Sequence, residues 1–290
     1  DPAIGGFYQN AQERVTTLSS HTLFFSLELN KVDDKTINRW LKAPAMANYA
    51  VWLKNLLVYK PHQLSDELEK FLHEQHVVGT AAWNRLFDET MAGLRFPMDG
   101  KDLTSAEALH LLSDQSGDVR KKAAHALGDV FTKNLGLFAR ITNTLAKDKD
   151  IDDRWRKFPR PVSARNMANQ VEDEVVDALV KAVRDSYPNL SHRYYALKAK
   201  WMGSVKLDYW DRNAPLPDAD DRTIGFDEAR DTVLNAYGAF SPRLADVGRQ
   251  FFDNAWIDVP ARAGKNPGAF AHQTVPSSHP YLLLNYQGKI

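Results

Sequence analysis

The residues whose types and spacing come nearest to a reactive site are His73-Glu74-Gln75-His76. A helix that binds a metal through H-E-x-x-H needs its two histidines four residues apart, so that both rings reach one ion with the glutamate beside them. Here the histidines stand three apart. They can share a helix face, but the glutamate is not where the motif requires it, so the segment reads as a solvated polar face. His110, His125 and His192 stand alone in helical patterns and read as surface or hydrogen-bonded side chains. Asp218, Asp220 and Asp221 alternate like part of a calcium loop. Thr223 and Ala229 occupy the positions where that loop needs Gly and Glu, so the stretch reads as a linker. Asp152-Asp153 and Glu172-Asp173-Glu174 lie at helix starts or in loops, where the helix dipole accounts for them. Neither a glycine-rich phosphate cradle nor a G-x-S-x-G elbow is present.

The segment Ala261 to Ile290 carries more information. Lys265-Asn266-Pro267-Gly268-Ala269-Phe270-Ala271-His272 is followed by Pro280-Tyr281-Leu282-Leu283-Leu284-Asn285-Tyr286-Gln287-Gly288-Lys289. The first run predicts a small-residue edge strand over Gly268–Thr274, and the second an apolar inner strand. Small residues on an edge let another backbone approach and pair with it.

The elements that must position these strands are mostly helices. Apolar residues recur at helical spacing from about Tyr8 to Asn30, and Asp33 or Asp34 caps a short helix before Pro44. Further helices are predicted over Met46–Tyr59, from Ser65-Asp66-Glu67 onward, and around Trp83, Leu86, Phe87 and Met91. Asp99-Gly100 suits a hairpin tip, and Thr104-Ser105-Ala106-Glu107 a capping box. One long helix is expected from Ser116 to about Lys147, then Ala168–Tyr187 and Leu190–Met202, the last stopped at Gly203. After a turn-rich stretch at Leu207–Pro217, helices follow Gly225 and Ser241-Pro242, and Trp256–Val259 begins a small sheet.

Composition narrows the function classes. The 290 residues hold 37 Lys plus Arg against 37 Asp plus Glu, which gives no electrostatic reason for a nucleic-acid or anionic-membrane partner. The local basic group Arg154, Arg156, Lys157, Arg160 and Arg165 is interrupted by prolines and reads as a solvated loop. Cysteine is absent, which excludes disulfides and thiolate chemistry and fits a reducing cytoplasm, the expected location. No run approaches the roughly 20 apolar residues that span a bilayer.

The Gly-Ala-aromatic strand and the Pro-Tyr-(apolar)-Asn-Tyr-x-Gly strand resemble the segment upstream of the zinc helix in oligoendopeptidase F-type zinc metallopeptidases, which are thimet oligopeptidase-like. Lys206-Leu207-Asp208-Tyr209-Trp210-Asp211 and Ala214-Pro215-Leu216 resemble that family's connection into the catalytic part. So does the helix that starts near Asp118 with Arg120, ahead of Ala164-Arg165-Asn166. The resemblance covers most of the chain. It is specific at residues 206–217 and 265–289, and before about residue 115 it rests on helical pattern alone.

The resemblance implies a mainly α, multi-helical zincin-like fold with a small β-sheet near the C-terminus. It implies a helical N-terminal lobe over 1–114 and the first part of a catalytic domain over 115–290. Gly268, Ala269, Phe270, Ala271 and His272 are then the substrate-binding residues, pairing with short peptides. Zinc belongs to the intact family enzyme. The chain is expected to stop before the H-E-x-x-H helix, to hold no metal or catalytic residue itself, to be inactive alone, and to self-associate through surface uncovered by truncation. The competing expectation is a non-enzymatic helical scaffold or interaction domain.

Overall fold

A computed structural model describes residues 2–217, 222–266, 268–275 and 277–288. The acidic stretch Asp218, Asp220 and Asp221 lies outside the described residues. The described residues are mainly helical, with two small sheets among them, and the chain divides into two compact units. One comprises residues 1–87 and 136–187, the other 88–135 and 188–290.

In the first unit the expected helix over Tyr8–Asn30 is two helices, Pro2–Ser20 and Leu23–Lys31. The run Ser19-Ser20-His21-Thr22 breaks it, because Ser and Thr compete for backbone groups. Ser19 donates to the Thr16 carbonyl and Thr22 to the Ser19 carbonyl, each at 3.0 Å. Asp33 caps Asp34–Leu41 by accepting from the Thr36 N–H at 3.0 Å, as the sequence indicates. Met46–Tyr59 resolves into a 3₁₀ turn at Pro44–Tyr49 and a helix at Ala50–Leu57. Ser65 caps Asp66–Gln75. Ala168–Tyr187 is replaced by a short helix, Ser163–Ala168, and a longer one, Asp173–Ser186. Asp173 anchors the junction, accepting from the Ser163 hydroxyl at 2.5 Å and the Asn166 amide at 2.7 Å.

The expected helix Ser116–Lys147 also breaks, into Gly117–Lys133 and Leu135–Trp155. The Asn134 side chain donates to the Val130 carbonyl at 2.9 Å, which competes with the helix ladder, and the backbone leaves helical geometry there.

In the second unit, β1 (Phe96–Met98) and β2 (Lys101–Leu103) form the expected hairpin, with Met98 opposite Lys101. The two-residue tip Asp99-Gly100 has φ 48° and 80°, the left-handed pair that a primed turn demands and that glycine adopts without strain. The capping box is present: Glu107 accepts from the Thr104 N–H at 2.7 Å, and Thr104 accepts from the Glu107 N–H at 3.3 Å. Phe96 is buried against Ala108, Leu127 and Val130, with its ring edge-on to Phe131 at 5.6 Å. The helix Ser191–Trp201 ends at Gly203, whose φ is 71°. Helices Phe226–Phe240 and Pro242–Asp253 then lead to the second sheet.

That sheet holds β3 (Ile257–Pro260), β4 (Phe270–His272) and β5 (Tyr281–Tyr286), in the order β3-β5-β4. β3 runs parallel to β5, and β4 antiparallel to it. Side chains alternate across a sheet. On one face the Tyr286 ring meets Phe226 at 5.6 Å, and Phe226 meets Phe252 at 5.9 Å, so helical residues cover that side.

Candidate functional site

The other face of the sheet is open. Register places Phe270 opposite Leu283 and His272 opposite Tyr281. Trp256, Asp258, Phe270, His272, Tyr281 and Leu283 border a hollow of about 370 Å³. Phe270 and Tyr281 are each about half exposed. The Trp256 ring stacks on His279 at 3.7 Å, and His279 meets Tyr281 edge-on at 4.5 Å. This stack ties the return from β4 to β5 against the start of β3, and Thr274 adds a bond to the His279 carbonyl at 2.9 Å.

β4 is an edge strand. Among the described residues no strand pairs with its outer side, and Phe270, Ala271 and His272 are all exposed. The paired strand is shorter than the Gly268–Thr274 expected from sequence. Gly268 and Ala269 precede it, because side chains rather than a ladder hold the backbone there. The Asn266 side chain accepts from the Gly268 N–H at 2.9 Å, and Asn285 donates to the carbonyls of Asn266 and Gly268 at 2.8 Å each. All five expected residues still lie in one stretch along the edge, and Pro267 lies outside the described residues.

Electrostatics around β3 are local and specific. Asp258 takes a two-pronged bond from Arg262, at 2.7 and 2.8 Å. Arg262 first, and then Lys265, hold the Asp258 carboxyl down to about 2. Lys265 itself is covered, its side chain 3% exposed.

A second constellation joins two segments that carry the sequence resemblance. Arg120, in the helix Gly117–Lys133, bonds Asp211 through Nη2 at 2.6 Å and Nε at 3.1 Å. The same guanidinium donates to the carbonyls of Asp114 and Gln115 at 2.7 and 2.9 Å. Trp210 lies between Lys121, 5.2 Å from its ring, and the edge of His125. The buried Lys198 donates to the Arg212 carbonyl at 2.9 Å. Burial, then the Arg120 charge, push its ammonium below the ordinary value, against the pull of Asp211. The bonds of Arg120 and Lys198 run to backbone carbonyls and to Asp211, so these two side chains fix the 206–217 connection in place.

The remaining sequence candidates are occupied structurally. His73 bonds Ser19 at 2.8 Å. Arg156, assigned to a solvated loop, is instead enclosed: it holds Glu69 with both Nη atoms, at 2.7 and 3.1 Å, and Asp152 at 2.8 Å. His62 bonds the Arg156 carbonyl at 2.7 Å and stacks on Phe158. Burial alone would raise the Glu69 carboxyl, but the Arg156 bond and the Leu64 N–H outweigh it and lower the pKa. Arg160 pairs with Asp177 at 2.8 Å, and Arg154 with Asp150 at 3.5 Å. Among the described residues no three His, Asp or Glu side chains gather to hold a metal, so the described residues do not fit zinc. No helix among them is long and apolar enough to cross a membrane.

Comparison with known proteins places this geometry. The sequence model described as Oligopeptidase F matches residues 28–96, within the region where helical pattern alone suggested the family. Oligopeptidase PepF of Bacillus subtilis is 24% identical over 98% of this chain, and Group B oligopeptidase PepB of Streptococcus agalactiae 25% over 97%. This chain is a sequence relative of the oligoendopeptidase F peptidases. It spans 44% and 48% of those two relatives, just under half their length. Among solved structures, oligoendopeptidase-F from Enterococcus faecium superposes with a TM-score of 0.68 at 21% identity, covering 88% of this chain and 49% of that one. PZ peptidase A with an inhibitor gives 0.74 at 17% identity, over 98% of this chain and 50% of that one. The fold is thus that of the oligoendopeptidase F structures, mainly helical with the small sheet near residue 290.

Proposed function

We propose that this chain is part of a zinc-dependent oligoendopeptidase that hydrolyses short peptides, and that it contributes the edge on which the peptide lies. The observation that carries this reading is β4, an exposed strand whose outer side pairs with no other strand among the described residues. An extended peptide added there makes main-chain hydrogen bonds that do not depend on its sequence, as an enzyme acting on many short peptides requires. Ala269 and Ala271 keep the approach low, and Phe270 and His272 lie on the open face where alternate peptide side chains fall. In this reading residues 1–114 form a helical lobe and residues 115–290 the first part of the catalytic domain.

The zinc and the groups that use it belong to residues outside those described, and the 290-residue chain alone is inactive. Relatives' names support peptidase chemistry, and the open apolar face of the sheet supports burial against a further part of the protein or, failing that, self-association.

The test is kinetic. In the protein translated from the complete gene, His272→Ala lowers kcat/KM for a quenched fluorescent peptide while leaving the melting temperature unchanged. Unaltered kinetics would remove His272 from the peptide edge.

A further inference from the structure

We propose that Asn285 and Lys265 are positioning residues that hold Gly268–His272 at the register in which a peptide pairs with it; this rests on the reading of that segment as a peptide edge. The ladder pairs Phe270 with Leu283, so two residues further along Gly268 stands opposite Asn285. Ladder pairing has ended there, and the Asn285 side chain takes its place. Its Nδ2 donates to the carbonyls of Asn266 and Gly268, at 2.8 Å each. An amide nitrogen has two hydrogens, and both are used. The flipped amide would set an oxygen against two carbonyl oxygens, so the orientation is fixed by the bonds themselves.

The turn is closed from the other side by the Asn266 side chain on the Gly268 N–H. A Cβ at Gly268 would stand 3.2 Å from that same oxygen, which favours glycine at this position. Lys265 ties the start of the segment to β3, donating to the carbonyls of Asp258 and Pro260 at 3.0 and 2.8 Å and standing 3.1 Å from the Asp258 carboxylate. One end of the edge is thereby fastened to both other strands of the sheet, β5 through Asn285 and β3 through Lys265.

The need for such fastening follows from the strand's length. Three paired residues supply few ladder bonds. A slip of one residue would turn Phe270 and His272 to the wrong face and offset each bond to an incoming peptide.

Hydrogen exchange on the 290-residue chain tests the latch. Asn285→Asp has the same shape but accepts where Asn285 donates. In Asn285→Asp and Asn285→Ala, the hydrogen-bonded amides within residues 268–272 should exchange about tenfold faster, while the bonded amides of Ile257–Val259 keep their protection. Lys265→Met, which keeps the apolar stem, should act in the same direction. In the protein from the complete gene, Asn285→Asp should raise KM for a short quenched peptide about tenfold, with kcat within about twofold. A side chain that merely fills space would be replaced by Asp without effect, so unchanged exchange in Asn285→Asp overturns the latch. Faster exchange with unchanged KM, in this variant and in His272→Ala alike, instead overturns the reading of the segment as a peptide edge, and the positioning role with it.

Discussion

Replacing Arg120 by Met should destabilise the second unit severely. The Arg120 side chain is 4% exposed and that of Asp211 16%, so the pair is almost out of water. The substitution leaves the Asp211 carboxylate with no guanidinium and strips the carbonyls of Asp114 and Gln115 of their donor. Breaking a buried pair from one side costs about 3–5 kcal/mol, chiefly because the other charge stays buried. In a domain of this size class each kcal/mol lowers the melting temperature by about 2–4 °C, so the loss should be about 6–20 °C. Circular dichroism melts of the wild type, Arg120→Met, Asp211→Leu and the double variant would measure it. The double variant should recover part of the loss, because no charge remains unpaired, although the two carbonyls stay without their donor. A shift under about 2 °C for Arg120→Met, or strictly additive single losses, would refute the assignment of the pair as a buried, coupled clamp.

Other consequences can be measured separately. The Asp258 carboxyl, held at about 2 against an ordinary 3.8, contributes stability that is complete above 3.8 and is lost as pH falls from there through about 2. Carboxyl NMR should find that midpoint and see it rise toward 3.8 in Arg262→Ala; an ordinary midpoint in the wild type would contradict the pairing. Gly100→Ala forces a side chain into the left-handed backbone at φ 80° and should cost about 1 kcal/mol in denaturant unfolding. No loss there would mean that the turn relaxes to another type.

Features written within a few residues of one another were legible in the sequence. The Asp99-Gly100 tip, the Thr104–Glu107 capping box and the Asp33, Ser65 and Ser241 caps each rest on backbone angles or bonds within a few residues and stand where sequence placed them. Helix breaks at His21-Thr22 and Asn134 were not legible, because apolar periodicity runs on across both and the interruption comes from side chains bonding nearby carbonyls. The end of β4 was hidden for a different reason. Asn285 reaches 17 and 19 residues back to shape it, and no local pattern encodes that. A trace existed: Asn285 is the lone amide in the apolar run Tyr281–Tyr286 and shares the face of Tyr281 and Leu283. Arg120 and Asp211 lie 91 positions apart. Each stands in a segment that carried the family resemblance, and only the fold shows that they form one clamp.

The central claim is that the chain belongs to a zinc-dependent peptidase of short peptides and supplies its peptide edge. The most direct measurement is cleavage of a short quenched fluorescent peptide by the protein from the complete gene, before and after treatment with a chelator and after zinc is restored. The account predicts cleavage that the chelator abolishes and zinc returns. Absence of cleavage, or cleavage indifferent to the chelator, would contradict it.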